Sequence, residues 1–156
     1  MNATLRLDQA LRFVGTNEHG HQTVFDTSHK GGGLDTASSP MEVVLNAMAA
    51  CSSMDILGIL RKQRKTITDF TINSEAARAD DHPKMFTHVT MHFRLESPDT
   101  TMKDLVRAID LSLNKYCSVT IMIIRSGCTV TWDATIIDPV TKAEQHVAAD
   151  ELELVA

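Results

Sequence analysis

The sequence predicts a mixed α+β fold, and three observations lead to that prediction. A helical segment runs without interruption from Ser39 to Lys62. The segment from Phe86 to Leu95 alternates between apolar and polar side chains, which is the period of a strand with one buried face. Shorter strand-like runs, separated by turn residues, occupy residues 3–27. The chain is therefore expected to combine antiparallel sheets with a long helix.

The length and composition of the chain suit one domain with a mostly aliphatic core. At 156 residues the chain is long enough to bury a substantial core. We expect a single domain over residues 1–138 and a C-terminal tail over 139–156, whose polar, Ala-rich composition allows a loosely held helix. Aromatic residues make up only 4% of the sequence, so aliphatic side chains, Ala and Met must fill the interior.

The charge pattern argues against nucleic acid and anionic membranes as partners. The net charge is −5, and Lys and Arg are scattered singly rather than gathered in a basic stripe. The N-terminus lacks the apolar segment of a signal peptide, and Asn46 and Asp55 interrupt the apolar run from Val43 to Leu60. We therefore expect a cytoplasmic protein without a membrane span, whose three cysteines are not a structural disulfide framework.

The first strands are expected to form an antiparallel meander. Their predicted bounds are Ala3 to Leu7, Ala10 to Val14 and Gln22 to Asp26, with a turn at residues 17–20 before the third strand. The segment from Ser28 to Ser39 contains three consecutive glycines and ends at a helix cap, so it should be a mobile loop. It lacks the strand and the Lys-Ser/Thr pair of a phosphate-binding loop, and no phosphate is assigned to it.

The long helix organises the chain. Ser39 suits the N-cap, Pro40 suits the first helical position, and Glu42 completes a capping box. The segment is apolar nearly all round, a pattern typical of a helix that is buried on most sides. From Pro40 to Arg64 it would span roughly 36 Å, more than the roughly 30 Å expected across a single domain of this size. A second subunit is therefore expected to cover part of it.

Two strands after this helix are expected to form a hairpin. They cover Ile67 to Ala77 and Phe86 to Leu95, with a loop between them at residues 80–84. The second strand has an apolar face that should join the core and a polar face that should meet solvent or a ligand. The apolar face consists of Val89, Met91, Phe93 and Leu95, and the polar face of His88, Thr90, His92 and Arg94.

The second half of the chain should contain two further helices and a final strand. Ser97 to Thr100 starts the first of these helices, which is amphipathic because its apolar residues repeat at spacings of three and four. Ser118 can cap a short third helix that Gly127 ends, although β-branched residues also allow a strand there. Cys128 to Ile136 is predicted as the final strand, with Cys128 facing the core.

Histidines form two candidate metal sites, and both are weak. His19 and His21 flank a turn glycine, without a cysteine or carboxylate set at ligand spacing. His88 and His92 share a strand face but lie too far apart to bind one metal without further ligands. Solvent-exposed histidines explain both patterns better. We expect neither a metal nor another cofactor.

Two cysteines lie where thiol chemistry is plausible. Cys51 lies in the interior of the long helix, where cysteine is normally an inert apolar residue. Cys117 lies one residue before the predicted cap of the third helix, where the positive end of the helix dipole and free N–H groups favour the thiolate. On composition alone, both residues are interpreted as structural.

The order of these motifs resembles the OsmC/Ohr family of thiol peroxidases. The resemblance covers about residues 3–136. It rests on the Ser-Pro-x-Glu-x-x-Leu-x-Ala-x-Ala-Ala-Cys helix, the long hairpin, and the segment Lys115-Tyr116-Cys117-Ser118-Val119. It implies an intertwined α+β homodimer, in which long central helices are buried between sheets from both chains.

The same resemblance implies a two-cysteine peroxidase that acts on organic hydroperoxides, with hydrogen peroxide as a second candidate substrate. Cys51 would attack the peroxide and become a sulfenic acid. Cys117 would resolve it as a disulfide, which an external thiol reductant would reopen. Val44, Met48 and Met54 can supply an apolar pocket for the organic part of the substrate.

A glutamate and an arginine usually accompany the reactive cysteine in this family. Members place Glu directly after the Pro that starts the helix, whereas this sequence has Met41 there and Glu42 one position later. Glu42 is accordingly the third candidate catalytic residue, and it also suits a capping role. Arg12 is the nearest candidate for the arginine, and Ser118 stands where Pro commonly follows the second cysteine. These departures leave an alternative, a non-catalytic dimer that binds a small molecule or senses redox state.

Overall fold

The computed structural model of the protein describes residues 1–149. Over that range the chain forms two β-sheets and three α-helices, which confirms the predicted α+β class. Contacts between residues divide the chain into two compact units, Met1–Asn46 and Ala47–Ala156. The single domain expected over residues 1–138 stays a prediction.

The first unit contains the predicted antiparallel meander. Its strands are β1 (Ala3–Gln9), β2 (Arg12–Asn17) and β3 (Gln22–Phe25), hydrogen-bonded in the order β1-β2-β3. The second strand begins at Arg12 rather than at Ala10. Ala10 has a left-handed backbone with a φ of 49°, so it belongs to the turn between the first two strands.

Asp26 organises the loop that follows the meander. Its buried carboxylate accepts hydrogen bonds from the backbone N–H groups of Thr27, Leu34 and Thr36, at 2.8 to 3.1 Å, and from the Thr36 hydroxyl at 2.8 Å. Burial alone would raise the pKa of Asp26, but the hydrogen bonds from Thr36, Leu34 and Thr27 hold this pKa well below its usual range. Any side chain at Gly33 would collide with the Thr27 carbonyl, which explains a glycine there. Sequence patterns gave no sign of this role for Asp26.

The first helix, α1 (Pro40–Lys62), starts with the predicted capping box. The Ser39 N–H donates to the Glu42 carboxylate at 2.6 Å, and the Glu42 N–H donates to the Ser39 hydroxyl at 3.4 Å. In the second unit α1 buries a single stripe of residues spaced four apart, Met48, Ser52, Ile56 and Leu60. The other residues of this helix are half-buried or exposed in the part of the chain that the structure describes. In length and composition alone α1 could also cross a membrane, a property that the core helices of soluble proteins share.

The second unit is built on a four-stranded sheet. Its strands, in spatial order, are β4 (Asp69–Arg78), β5 (Phe86–Glu96), β6 (Thr129–Ile137) and β7 (Glu144–Ala149). The first two form the predicted antiparallel hairpin, while the middle pair, β5 and β6, is parallel. A parallel pair needs a long crossover, and the two helices between β5 and β6 provide it.

The helix allowed for the C-terminal tail is wrong over Glu144–Ala149. These residues form β7, which pairs antiparallel with β6 from Trp132↔Ala149 to Ile137↔Glu144. Without this strand β6 would be an edge strand with unpaired backbone N–H and C=O groups, and pairing satisfies them. The remaining tail, 150–156, lies outside the described residues.

The crossover consists of α2 (Met102–Leu111), a π-helical turn (Ser112–Tyr116) and α3 (Ser118–Arg125). The capping box of α2 is made by Thr101 and Asp104. Residues 97–100, predicted as the helix start, precede this cap. The helical option for residues 118–125 is the one that the structure adopts.

The core of the second unit lies between this sheet and the crossover helices. Its largest fully buried side chains on the sheet include the predicted apolar face of β5. Phe93 meets Trp132 edge to face, with ring centroids 6.3 Å apart, and Leu105, Ile109 and Leu113 are buried on the crossover. The opposite face of β5 carries polar pairs to β6, such as His92 with Asp133 at 2.6 Å.

A partly exposed ion pair joins the segment after α1 to the start of α2. Lys65 Nζ lies 2.8 Å from Asp104 Oδ2. The hydrogen bond from Lys65, with those from Thr101, lowers the pKa of Asp104 to about 2, compared with about 3.9 for an unfolded Asp. Because the folded pKa is the lower one, the carboxylate stabilises the fold above pH ~4, and this contribution disappears as the pH falls toward about 2.

In Asp104→Asn, the free energy of unfolding should therefore fall less in acid than it does in the wild type. Urea unfolding at pH 6 and pH 3 should show a smaller difference in the free energy of unfolding for the variant than for the wild type, because the titrating group is gone. Asp110→Asn is the matched control on the same helix, since the exposed Asp110 carboxylate accepts a hydrogen bond from the half-buried Asn114 amide at 2.7 Å. An equal pH difference in Asp104→Asn and the wild type would contradict the assignment.

Candidate active site

Cys51 lies midway along α1, half-buried beside the stripe that faces the core. Asp55 follows it by four residues, one turn along the same face of the helix. The helix therefore presents a thiol and a carboxylate together. In the sequence, Asp55 stands out only as a break in an apolar run.

Cys117 is itself the N-cap of α3, so the predicted cap at Ser118 is wrong by one residue. Its fully buried Sγ accepts hydrogen bonds from the Thr120 N–H at 3.4 Å and from the Thr120 hydroxyl at 3.0 Å. Its S–H points toward the Met48 carbonyl of α1 at 3.9 Å. The Cys117 sulfur thus accepts the N-cap hydrogen bond that a serine or threonine oxygen often accepts at the start of a helix.

The π-helical turn sets the position of Cys117. The Cys117 N–H donates to the Ser112 carbonyl at 2.8 Å, a bond that spans five residues instead of four. The π-helical turn ends at Tyr116, directly before Cys117, and α3 begins directly after Cys117. Such turns occur often at functional sites, and no sequence pattern predicted this one.

The structure brings Cys51, Asp55 and Cys117 together. One ligand atom from each residue, two Sγ atoms and a carboxylate oxygen, lies within 4.8 Å of the others. Both cysteines are free thiols. The proximity of Cys51 and Cys117 agrees with the predicted thiol pair, while the catalytic roles of both residues remain predictions.

Ser112 orients the carboxylate of this cluster. Its buried hydroxyl lies 3.2 Å from Asp55 Oδ2 and 3.4 Å from the Ser52 carbonyl. Because Ser112 belongs to the π-helical turn, this turn positions both Cys117 and the Ser112 hydroxyl that binds Asp55. Asp55 is thus the site residue that sequence reasoning missed. Its spacing of four from Cys51 was the signal that could have found it.

The electrostatics of Cys117 differ from the expectation at a helix start. Burial raises the pKa of the Cys117 thiol to about 11; hydrogen bonds from Thr120 oppose this rise, and the neighbouring Cys51 adds to it. Cys117 is therefore a neutral thiol at pH 7. The helix dipole does not outweigh the loss of water around the sulfur, and the prediction that this position favours thiolate is wrong.

Cys128 lies outside the cluster. It precedes β6 by one residue and is 3% exposed, and burial raises the pKa of its thiol. Its predicted place in the core is confirmed, although the strand itself begins at Thr129.

The two charged residues that the family resemblance suggested are engaged elsewhere. Glu42 is exposed and caps α1 through Ser39, and hydrogen bonds from Ser39 lower the pKa of Glu42. Arg12 forms an ion pair with Asp8 beside the turn between β1 and β2. A catalytic role for Glu42 remains an untested prediction.

Two of the histidines form hydrogen bonds between β5 and β6. His88 lies 2.9 Å from the Thr131 hydroxyl, and His92 lies 2.6 Å from Asp133. Within residues 1–149, the cysteine and aspartate cluster is the group of potential metal ligands that the fold assembles, and it contains no histidine.

A cleft of about 560 Å³ adjoins the cluster at Asp55. Its walls are partly apolar, from Met54, Ile59 and Leu111, and partly basic, from Lys62 and Arg107. Met54 thus lines a cleft as predicted. Met48, assigned to the same pocket from sequence, is buried in the core.

The fold and this site define a dithiol α+β protein, in which cysteines from two helices meet beside a carboxylate. A family model described as "OsmC-like protein" matches residues 31–133. Protein YhfA of Escherichia coli (strain K12) is 37% identical over 123 residues, which cover 79% of this chain and 89% of YhfA. The chain belongs to the OsmC-like family.

Solved structures share the fold at lower identity. An OsmC-like protein from Mycoplasma pneumoniae is 16% identical with a TM-score of 0.73, over 86% of this chain and 95% of that chain. An organic hydroperoxide resistance protein OsmC from Legionella pneumophila is 17% identical with a TM-score of 0.61, over 86% and 94% of the two chains. The predicted OsmC-like fold is thereby confirmed.

Proposed function

We propose that the protein is a thiol-dependent peroxidase that reduces organic hydroperoxides through Cys51 and Cys117. The observation that carries this proposal is the meeting of their Sγ atoms within 4.8 Å, although the two residues lie on separate helices. A thiol pair at this distance can close to a disulfide by side-chain rotation and small backbone shifts. Membership in the OsmC-like family and the fold shared with a hydroperoxide resistance protein support the same chemistry.

The half-buried Cys51 is the attacking residue in this scheme, and the buried, neutral Cys117 is the resolving one. The Cys51 thiolate attacks one oxygen of the O–O bond, the bond breaks, and the alkoxide leaves as an alcohol after taking a proton. The Asp55 carboxylate offers an acceptor for the proton that the Cys51 thiol loses. Cys51 then carries a sulfenic acid.

The second step forms the disulfide. The Cys117 sulfur attacks the sulfenic sulfur of Cys51, and its proton leaves with the hydroxyl group as water. An external thiol reductant supplies two electrons and two protons to restore both thiols. The apolar walls of the cleft beside Asp55 suit an organic peroxide better than hydrogen peroxide.

The test follows free thiols in the reduced protein after rapid mixing with cumene hydroperoxide or hydrogen peroxide. We expect two of the three thiols per chain to disappear, faster with the organic peroxide, and a dithiol to restore them. Loss of fewer than two thiols with both oxidants would rule out the two-cysteine peroxidase.

We also propose that the protein is a homodimer. The second unit leaves large apolar side chains uncovered, including Met54 on α1, which is 76% exposed, and Met122 on α3, which is 62% exposed. A second copy of the chain would remove this surface from water, at about 25 cal/mol for each Å². The apolar composition of α1 beyond its buried stripe is consistent with such cover.

Sedimentation at micromolar concentration should accordingly give the mass of two chains. Met54→Glu should shift the protein toward monomer, because it places a charge on the apolar surface of α1. Met85→Glu is the control, since Met85 is exposed in the loop before β5. A folded wild-type monomer at that concentration would overturn the dimer.

A second candidate function, a redox-sensing dimer, is favoured by one observation. The charged group that the fold places beside the two thiols is a carboxylate, whereas a peroxidase needs a cation to stabilise the departing oxygen. A sensor would form the same disulfide once without sustained turnover, whereas a peroxidase would consume many equivalents of peroxide in the presence of a dithiol. For either function we propose a cytoplasmic location, where cellular thiols keep cysteines reduced.

A further inference from the structure

We propose that Cys51, Asp55 and Cys117 form a binding site for a thiophilic divalent cation of the zinc type. Two sulfurs and one carboxylate oxygen are a ligand set that zinc uses, and three protein ligands leave a fourth position open. The proposal is independent of peroxidase activity, because it concerns the reduced protein without peroxide.

The geometry of the cluster lies close to that of a zinc site. Zn–S bonds of about 2.3 Å place two sulfurs of a tetrahedral site about 3.8 Å apart. The three donor atoms here already lie within 4.8 Å of one another, so side-chain adjustments of about 1 Å would close the site around an ion. Cys51 and Asp55, one turn apart on α1, chelate from a single rigid helix, while Cys117 approaches from the start of α3.

Outer hydrogen bonds hold these ligands in place. The Ser112 hydroxyl donates to Asp55 Oδ2 at 3.2 Å, and Thr120 donates to the Cys117 sulfur from its N–H and its hydroxyl. Such contacts fix ligand orientation in metal sites and contribute to affinity. Asp55 Oδ1 remains available as the ligand atom.

The Asp55 carboxylate is the charged ligand that this cluster offers to a cation. Across residues 1–149, no Lys, Arg or His forms a salt bridge with Asp55. The half-buried Asp55 carboxylate therefore has no salt-bridge partner among the described residues, and a divalent ion bound there would supply one. The cleft at Asp55 gives an ion a path from solvent.

Metal binding and disulfide formation exclude one another at this site. A Cys51–Cys117 disulfide removes both thiolates, so oxidation must release the ion, and a bound ion must slow oxidation of the thiols. The bound cation would thus protect the thiol pair from oxidation, and oxidation of the pair would in turn prevent cation binding.

The test titrates Co²⁺ into reduced, chelator-treated full-length protein. We expect one Co²⁺ per chain, with the thiolate-to-cobalt charge-transfer band and the intense visible bands of a tetrahedral ion, and displacement of Co²⁺ by Zn²⁺. Asp55→Asn and Cys117→Ser should each weaken Co²⁺ binding on the order of 100-fold or more, and Ser112→Ala about 10-fold. Cys128→Ser, which alters a thiol outside the cluster, should bind as the wild type does.

Circular dichroism of each variant shows whether that variant is folded. If a ligand variant fails to fold, Ser112→Ala still tests the site, because it leaves all three ligands in place. Absence of the charge-transfer band in the wild type would overturn the metal site, as would unchanged affinity in Asp55→Asn. Thiol loss in metal-free protein measures the peroxidase separately, so either proposal can fail while the other stands.

Discussion

Cys51→Ser is expected to reduce the consumption of cumene hydroperoxide by on the order of 10³-fold or more, measured with a dithiol reductant in excess. A serine hydroxyl is not ionised at neutral pH and cannot accept oxygen from a peroxide as a sulfur does. The remaining thiols do not compensate, because Cys117 is fully buried with its pKa raised to about 11 and Cys128 is buried elsewhere in the core.

Cys117→Ser should separate the two chemical steps. Attack by Cys51 still occurs, so one equivalent of alcohol forms per chain, but no neighbouring thiol can resolve the sulfenic acid. Mass spectrometry after trapping with dimedone should find the adduct on Cys51, with over-oxidised forms at higher peroxide concentrations. Steady-state turnover should fall strongly while the first turnover is retained.

Cys128→Ser is the matched control for both variants. Its S–H donates to the Thr129 carbonyl at 3.4 Å and it lies outside the cluster, so turnover should stay close to that of the wild type. Peptide mapping of the oxidised wild type should give a Cys51–Cys117 crosslink. A Cys117–Cys128 crosslink, or activity that survives Cys51→Ser, would mean that another residue is the nucleophile.

Phe93→Ala should cost about 3 to 5 kcal/mol in the free energy of unfolding, the largest effect expected on stability. Phe93 is 1% exposed, lies on the core face of β5, and its ring packs near those of Phe70 and Trp132, with centroids 6.4 and 6.3 Å away. Truncation removes the transfer free energy of the ring and leaves a cavity between rigid strands. Urea unfolding followed by far-ultraviolet circular dichroism measures the change.

Arg94→Ala provides the comparison at the adjacent position of the same strand. The Arg94 side chain is 52% exposed and meets the similarly exposed Glu144 at 3.3 Å, so its loss should cost less than about 1 kcal/mol. Equal effects of the two substitutions would contradict the assignment of β5 to a core face and a solvent face.

The elements that the sequence predicted well are those specified by residues close in the chain. The start of α1 depends on Ser39 and Glu42, three residues apart, and each supplies a hydrogen bond to the other. The faces of β5 follow from a period of two residues, and burial of Val89 and Leu95 confirms them. Both patterns reflect local geometry that tertiary contacts did not change.

The predictions that failed involve partners distant in the sequence. The last six described residues, Glu144–Ala149, carry no strand alternation, and they form β7 only because β6 offers an unpaired edge. The pKa of Cys117 follows burial rather than the helix dipole, and burial depends on how the surrounding elements pack.

The sequence by itself determined the α+β class, the bounds of the long helix, the core face of β5 and the two thiols worth testing. Tertiary structure alone decided that Asp55 joins those thiols and that Ser112 holds it. It also decided that the π-helical turn makes Cys117 the cap of α3. The physical reason is that local hydrogen bonds and side-chain periods depend on residues close together in the chain. The site, in contrast, forms only where helices that are distant in the sequence pack against one another.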